Sequence, residues 1–136
     1  MGSRARSIVF GVACATALVA VAAAAQGSAA SAEGGGDAAR GEKHFEECAS
    51  CHSVAAGENG VGPSLHAIIN RKAASLEDFR YSPAMKKSEI TWTPETLETF
   101  IADPQKLVPA NRMAYAGLTD AAERADLIAY LQQATK

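Results

Sequence analysis

The chain has 136 residues, a length that suits a single domain. Its 13 basic and 15 acidic residues give a formal net charge of −2. That balance argues against nucleic-acid binding, because proteins that bind nucleic acid usually carry a basic surface.

The first 32 residues are predicted to be a secretory signal peptide. Two arginines precede an uncharged stretch rich in Ala and Val at residues 8–25, and A-S-A at residues 30–32 fits a cleavage site before Glu33. An uncleaved anchor is the alternative, because eighteen apolar residues just reach across a bilayer. The weak hydrophobicity of an Ala-rich stretch favours cleavage over anchoring.

Cleavage before Glu33 would leave a mature chain of residues 33–136. This chain has 11 basic and 15 acidic residues, a formal net charge of −4. Residues 33–37 are predicted to form a flexible linker, and residues 38–136 the folded domain. One of the three cysteines, Cys14, lies in the signal, so the mature chain keeps two.

The first half of the domain is predicted to contain one helix followed by a long loop. Asp37 is expected to cap a helix that runs to about Cys48. Gly41 and Phe45 are four residues apart and so share a face of that helix. Residues 53–75 contain several glycines and a proline with little periodicity, and therefore predict a loop.

Further helical segments are expected in the second half. A short helical turn is predicted at residues 82–87. A helix capped by Thr93 is expected to end at Asp103 and Pro104, and the last helix begins at residue 119 or 120. No segment convincingly predicts a strand, so the fold class is all-α. The long loops have no core of their own to pack on, which indicates a cofactor.

One motif specifies the chemistry. The sequence C-A-S-C-H at residues 48–52 is the C-x-x-C-H pattern of c-type haem attachment. Two thiols must reach two vinyl groups on one side of the porphyrin, and the adjacent His must reach the iron. We therefore expect Cys48 and Cys51 to bind one haem c covalently and His52 to ligate its iron. A thioredoxin-like pair would need C-x-x-C at the start of a helix after a strand, and zinc would need two more ligands.

The iron also needs a second axial ligand, or an open site. Met as the partner of His raises the reduction potential and marks an electron-transfer cytochrome. The mature chain offers Met85 and Met113. On pattern alone either Met is more often core filling than a ligand. Met113 lies in a loop that can bring it to the iron, whereas Met85 lies in a short helical turn where packing is the stronger interpretation.

Taken together, these features resemble the class I c-type cytochromes, close to the bacterial cytochrome c2 and mitochondrial cytochrome c group. Besides Gly41, Phe45 and C-A-S-C-H, the matching blocks are G-P-S-L at 62–65, N-R-K at 70–72, F-R-Y-S at 79–82, I-T-W at 90–92, D-P at 103–104, P-A-N-R-M at 109–113 and L-I-A-Y-L at 127–131. The resemblance implies the all-α class I cytochrome c fold, with three to five helices wrapped around one covalently bound haem.

The resemblance also implies roles for single residues. His52 and Met113 would be the axial ligands. The carbonyl of Pro63 would accept a hydrogen bond from the second ring nitrogen of His52, fixing the ring and tuning its basicity. Three further residues would hold the haem propionates: Arg71, Tyr81 and Trp92.

The terminal helices are expected to cross, with Gly41 and Phe45 against Leu127 and Tyr130.

Two departures from the family pattern are expected to matter. Phe100 stands where the family often has a Tyr whose hydroxyl bonds the Met sulfur. Family glycines are replaced at four positions, and Ala adopts a left-handed backbone less readily than Asn or Gly, so these loops are expected to differ. The four replacements are Ala67, Asn70, Ala74 and Ala110.

The function expected from these features is a monomeric, periplasmic one-electron carrier and not an enzyme. Its donor would be a cytochrome c reductase or a dehydrogenase, and its acceptor an oxidase or a photosynthetic reaction centre. No nucleic-acid partner is expected, and membrane contact only through partners or an uncleaved N-terminus. The alternatives are a haem enzyme or ligand sensor with an open iron site, and a membrane-tethered electron-transfer subunit.

Overall fold

The computed structural model describes residues 35–136, which contain five helices connected by long loops. The helices are α1 (Ala38–Ala49), α2 (Pro83–Lys87), α3 (Pro94–Ala102), α4 (Pro104–Leu107) and α5 (Ala121–Ala134). The only extended pairings in this part of the chain are two isolated bridges, so the all-α prediction is confirmed there. No helix in residues 35–136 has the length and apolar character needed to cross a bilayer. The signal or anchor predicted at residues 1–32 lies outside the described residues.

The terminal helices α1 and α5 form the main helix–helix contact. A side chain at Gly41 would collide with the backbone carbonyl of Asp126, so only glycine allows the two backbones to come this close. One turn later the rings of Phe45 and Tyr130 lie 5.1 Å apart, and Leu127 is almost completely buried. The predicted crossing is confirmed.

Side-chain caps position the three short helices between the terminal ones. The hydroxyls of Ser82 and Thr93 accept hydrogen bonds from backbone N–H groups in the first turns of α2 and α3. Asp103 ends α3 and also caps α4, where its carboxylate accepts from the Lys106 N–H at 3.0 Å. From the sequence, Pro104 is predicted only to end a helix. It also begins one, because proline is well tolerated at the first helical position.

The N-terminal boundary of the packed domain lies before α1. A side chain at Gly36 would collide with the carbonyl of Ala125, and the backbone N–H of Asp37 donates to the Asp126 carboxylate at 2.6 Å. Asp37 also caps α1 as predicted. Two residues of the segment predicted as a linker, Gly36 and Asp37, therefore contact α5.

The backbone is left-handed at all four positions where family glycines are replaced. The φ angles are +50° at Ala67, +62° at Asn70, +56° at Ala74 and +63° at Ala110. That these loops differ from those of the family stays a prediction. The three alanines adopt the left-handed conformation despite their Cβ atoms, which stores strain in the loops.

Candidate haem site

The C-x-x-C-H motif lies where α1 ends. Both the Cys51 and His52 backbone N–H groups donate to the Cys48 carbonyl, at 3.0 and 2.9 Å, so the motif folds into a tight turn on the last turn of the helix. Both cysteines are free thiols and half-buried. Burial, with Glu47 nearby, raises the pKa of the Cys48 thiol to about 11. Such a thiol is a poor match for a redox-active C-x-x-C pair, whose attacking cysteine has a lowered pKa.

The imidazole of His52 is oriented by the loop that follows it. Its Nδ1 lies 2.7 Å from the carbonyl oxygen of Pro63, so the hydrogen bond implied by the resemblance is present. The ring lies directly over Gly62, where a Cβ would overlap it. Burial lowers the pKa of His52, which favours neutral imidazole. A carbonyl accepts only from a protonated nitrogen, so Nδ1 carries the hydrogen and Nε2 is left with the lone pair that binds metals.

An amide side chain, that of Asn59, holds this loop in place. The side-chain oxygen of Asn59 accepts from the Ser64 N–H at 2.8 Å, and its NH₂ group donates to the Asp78 carboxylate at 2.9 Å. The chain from Asn59 to Ser64 is thereby closed around the Gly62–Pro63 pair that contacts the imidazole. This role of Asn59 is not predicted from the sequence. The signal available was an Asn in a glycine-rich loop, where its side chain often bonds to nearby backbone.

Arg71, Tyr81 and Trp92 lie in one region. The backbones of Arg71 and Trp92 are paired by a 2.9 Å hydrogen bond. Burial raises the pKa of Tyr81 and the positive charge of Arg71 partly offsets that rise, so the guanidinium lies within electrostatic range of this phenol. Trp92 is buried and its ring centroid lies 4.9 Å from that of Phe100.

The guanidinium of Arg71 already has one structural role. Its two terminal nitrogens donate to the backbone carbonyls of Ser64 and His66, so it supports the chain just after Pro63. No carboxylate of residues 35–136 forms an ion pair with it, and burial lowers its pKa. A half-buried cation without an anionic partner fits a site for a haem propionate.

Met113 lies in the irregular stretch between α4 and α5. Its half-buried side chain packs against the hydrophobic core, and its backbone N–H donates to the Asn111 side chain at 2.8 Å. His52 and Met113 are held by separate sets of contacts, so their pairing on one iron stays a proposal. Asn111 belongs to the matching block P-A-N-R-M, but the sequence predicts no role for its side chain.

The residues that fit a covalently bound haem c are two free thiols, an imidazole with Nε2 available and an arginine that forms no ion pair within residues 35–136. The comparison with known proteins agrees, because residues 38–135 match the family model for cytochrome c. The chain belongs to the cytochrome c family and is a class I c-type cytochrome. Proteins of this class are electron-transfer proteins and not enzymes, so the chain is a haem-based electron carrier.

Three relatives illustrate the similarity. A cytochrome c2 of Rhodoblastus acidophilus is 46% identical over 99 residues, which cover 72% of this chain and 92% of that protein. A cytochrome c2 of Blastochloris viridis is 41% identical over 129 residues, covering 94% of this chain and 93% of that protein. The solved structure of cytochrome cH from Methylobacterium extorquens is 42% identical, with a TM-score of 0.68, and the match covers 71% of this chain and 98% of that one.

Proposed function

We propose that this electron carrier is exported to the periplasm and holds one haem c through Cys48 and Cys51, with His52 and Met113 as axial ligands. The observation that carries the proposal is the 2.7 Å contact between His52 Nδ1 and the Pro63 carbonyl, beside two free thiols. This contact leaves Nε2 as the ligating atom. When bound, the haem supplies the Fe(III)/Fe(II) couple for one-electron transfer.

The residues of the chain set the properties of that couple. Pro63 keeps the imidazole neutral and oriented, while the uncharged thioether of Met113 favours a high reduction potential. Arg71 would pair with a propionate, and Tyr81 and Trp92 would donate hydrogen bonds to the propionates from the same region. Two protein ligands leave no iron position open to a substrate, which supports a carrier over a haem enzyme or ligand sensor.

An absorption spectrum of the oxidised holoprotein tests the ligand assignment. We expect the weak red-end band of an iron–sulfur(Met) bond in the wild-type protein, and its loss in Met113→Ala together with rapid carbon monoxide binding by the reduced form. Met85→Ala is the matched control, because Met85 is the other methionine of the mature chain and is also half-buried. A band that survives in Met113→Ala, or is absent from the wild-type protein, would contradict the assignment.

Export is supported by the charge, apolar stretch and small-residue site of residues 1–32. The match to the cytochrome c2 of Blastochloris viridis covers 94% of the chain, so most of this segment has a counterpart there. N-terminal sequencing of the protein from its source is expected to begin at Glu33. A membrane-bound protein that retains residues 8–25 would instead identify a tethered subunit.

The proposed partners are redox proteins: a cytochrome c reductase or a dehydrogenase as donor, and an oxidase or a photosynthetic reaction centre as acceptor. Rates of reduction and oxidation with membranes from the source, with one class of partner inhibited at a time, would identify which of them react. Failure of the reduced protein to be oxidised by any of these membranes would contradict the proposal.

A further inference from the structure

The loop before Met113 is organised around one buried amide. Asn111 is only 7% exposed, and all three of its side-chain hydrogen bonds go to the backbone. Its NH₂ group donates to the carbonyls of Pro104 at 2.8 Å and Val108 at 2.9 Å, while its oxygen accepts from the Met113 N–H at 2.8 Å. If the nitrogen and oxygen of the amide were exchanged, the oxygen would face the two carbonyl oxygens and the NH₂ group would face the Met113 N–H. Only the observed orientation therefore satisfies all three contacts.

A second amide, on α4, holds the same segment from outside. Gln105 donates to the Asn111 carbonyl at 3.2 Å and accepts from the Ala110 N–H at 3.2 Å. Ala110 has a left-handed backbone, so the chain reverses direction between the two amides. The backbone from Ala110 to Met113 is therefore attached to α4 through side-chain amides, and Met113 is the last residue attached in this way.

We infer that Asn111 is a positioning residue for the axial ligand: by fixing the backbone of Met113 to α4, it keeps the thioether within reach of the iron. The inference rests on the proposed ligation by Met113. A Met side chain has three rotatable bonds and adapts easily, so the position of its backbone is what limits where the sulfur can go. Loss of the amide should favour a state in which Met113 leaves the iron.

The test compares Asn111→Ser with the control variant Thr135→Val in the oxidised holoprotein. Thr135 is also buried and its hydroxyl also donates to a backbone carbonyl, that of Leu131, but it lies just after the C-terminal end of α5 and has no part in the proposed site. The first readout is the pH at which the red-end iron–sulfur band is half lost. Loss of the hydrogen bonds of Asn111 shifts the opening equilibrium on the order of tenfold or more, so we expect this midpoint to fall by about one pH unit. In Thr135→Val it should stay at the wild-type value.

The second readout is hydrogen exchange at the Met113 amide, which reports the Asn111 contact independently of the spectrum. We expect exchange on the order of tenfold faster in Asn111→Ser and unchanged in Thr135→Val. Should Asn111→Ser not yield holoprotein, Asn111→Asp replaces it for the pH titration. Asp keeps the volume and the acceptor for Met113 but cannot donate to the two carbonyls when ionised, so the same fall in midpoint is expected.

A wild-type band whose midpoint is unchanged in the Asn111 variant would overturn the inference and leave Met113 ligation intact. An equal fall in Thr135→Val would also overturn it, because the effect would then be general destabilisation. A wild-type protein without the band would overturn Met113 ligation itself, and this inference with it.

Discussion

At the scale of single residues, hydrogen bonds to backbone carbonyls hold several side chains of the site in position. The carbonyl of Pro63 fixes the His52 ring, and two carbonyls just beyond it accept from Arg71. In the loop before Met113, Asn111 bridges two carbonyls and the Met113 N–H. The conformation of the loops therefore determines where these side chains lie. Strained residues in the loops are for this reason worth testing.

Ala67 is one of the strained positions, with φ = +50° and an exposed side chain. We predict that Ala67→Gly stabilises the protein by about 0.5–1 kcal/mol, because the relief of left-handed strain exceeds the entropy gained by the unfolded chain. Denaturant unfolding monitored by helical circular dichroism measures the change. Ala56→Gly, at an exposed loop position without positive φ, should destabilise by about 0.5 kcal/mol. Equal destabilisation by the two variants would refute the strain argument.

Phe100 is buried against Trp92, and Met113 packs against the same core. With Met113 as the proposed ligand, Phe100→Tyr is expected to raise the reduction potential by tens of millivolts, the scale of one weak hydrogen bond in a one-electron couple. A hydroxyl that donates to the sulfur withdraws electron density from it, which disfavours Fe(III). Potentiometry checks this, with Phe79→Tyr, in a half-buried ring pair with Tyr81, as the control. Equal potentials in the Phe100 variant and the wild type would exclude a hydrogen bond to the ligand.

At the scale of secondary-structure elements, the sequence predicted the features whose interacting residues are close together in the chain. Helix starts at Asp37, Thr93 and Asp120 were predictable, because each cap bonds N–H groups within three residues. The second role of Pro104 was missed, since it depends on the direction of the preceding aspartate side chain. The role of Asn111 was missed because its partners lie as far as seven residues away, across a turn whose course is not encoded locally.

The crossing of α1 and α5 depends on the absence of one side chain. We predict that Gly41→Ala lowers the free energy of unfolding by about 2–3 kcal/mol, because the new Cβ meets the backbone of Asp126, which can move only if the helices separate. Gly35→Ala is the control, since a Cβ there has no atom within 4 Å and should change stability by less than about 0.5 kcal/mol. Chemical denaturation measures both. Equal stability of the two variants would mean that the helices are not in close contact at Gly41.

At the scale of the whole molecule, a single carboxylate joins the two ends of the domain. Asp126 is 4% exposed and accepts two hydrogen bonds from Arg40, at 2.6 and 2.9 Å, as well as one from the Asp37 N–H. These groups are separated by 86 or more positions in the chain. The contact therefore fixes the start of the domain to its last helix, and it forms only when the whole domain is folded.

This contact makes stability depend on pH. The hydrogen bonds from Arg40, and then from the Asp37 N–H, lower the pKa of Asp126. The folded state thus holds the ionised form more strongly than the unfolded state, whose aspartate titrates near pH 3.9. The resulting stabilisation is complete well above that pH and is lost as the pH falls through the lower pKa of the folded state. Because Arg40 is 59% exposed, solvent screening reduces its size.

Comparison of Asp126→Asn with the wild type isolates this contribution. We expect the variant to be less stable by about 1–2 kcal/mol at neutral pH, through the loss of charge-assisted hydrogen bonds, and the difference to shrink once the pH falls below about 4. Urea unfolding at a series of pH values measures it. Glu98→Gln serves as control, because the Glu98–Arg124 contact is long, at 3.5 Å, and half-exposed, so its removal should have little effect. A difference that stays constant down to pH 2 would show that Asp126 acts through its shape and not through its charge.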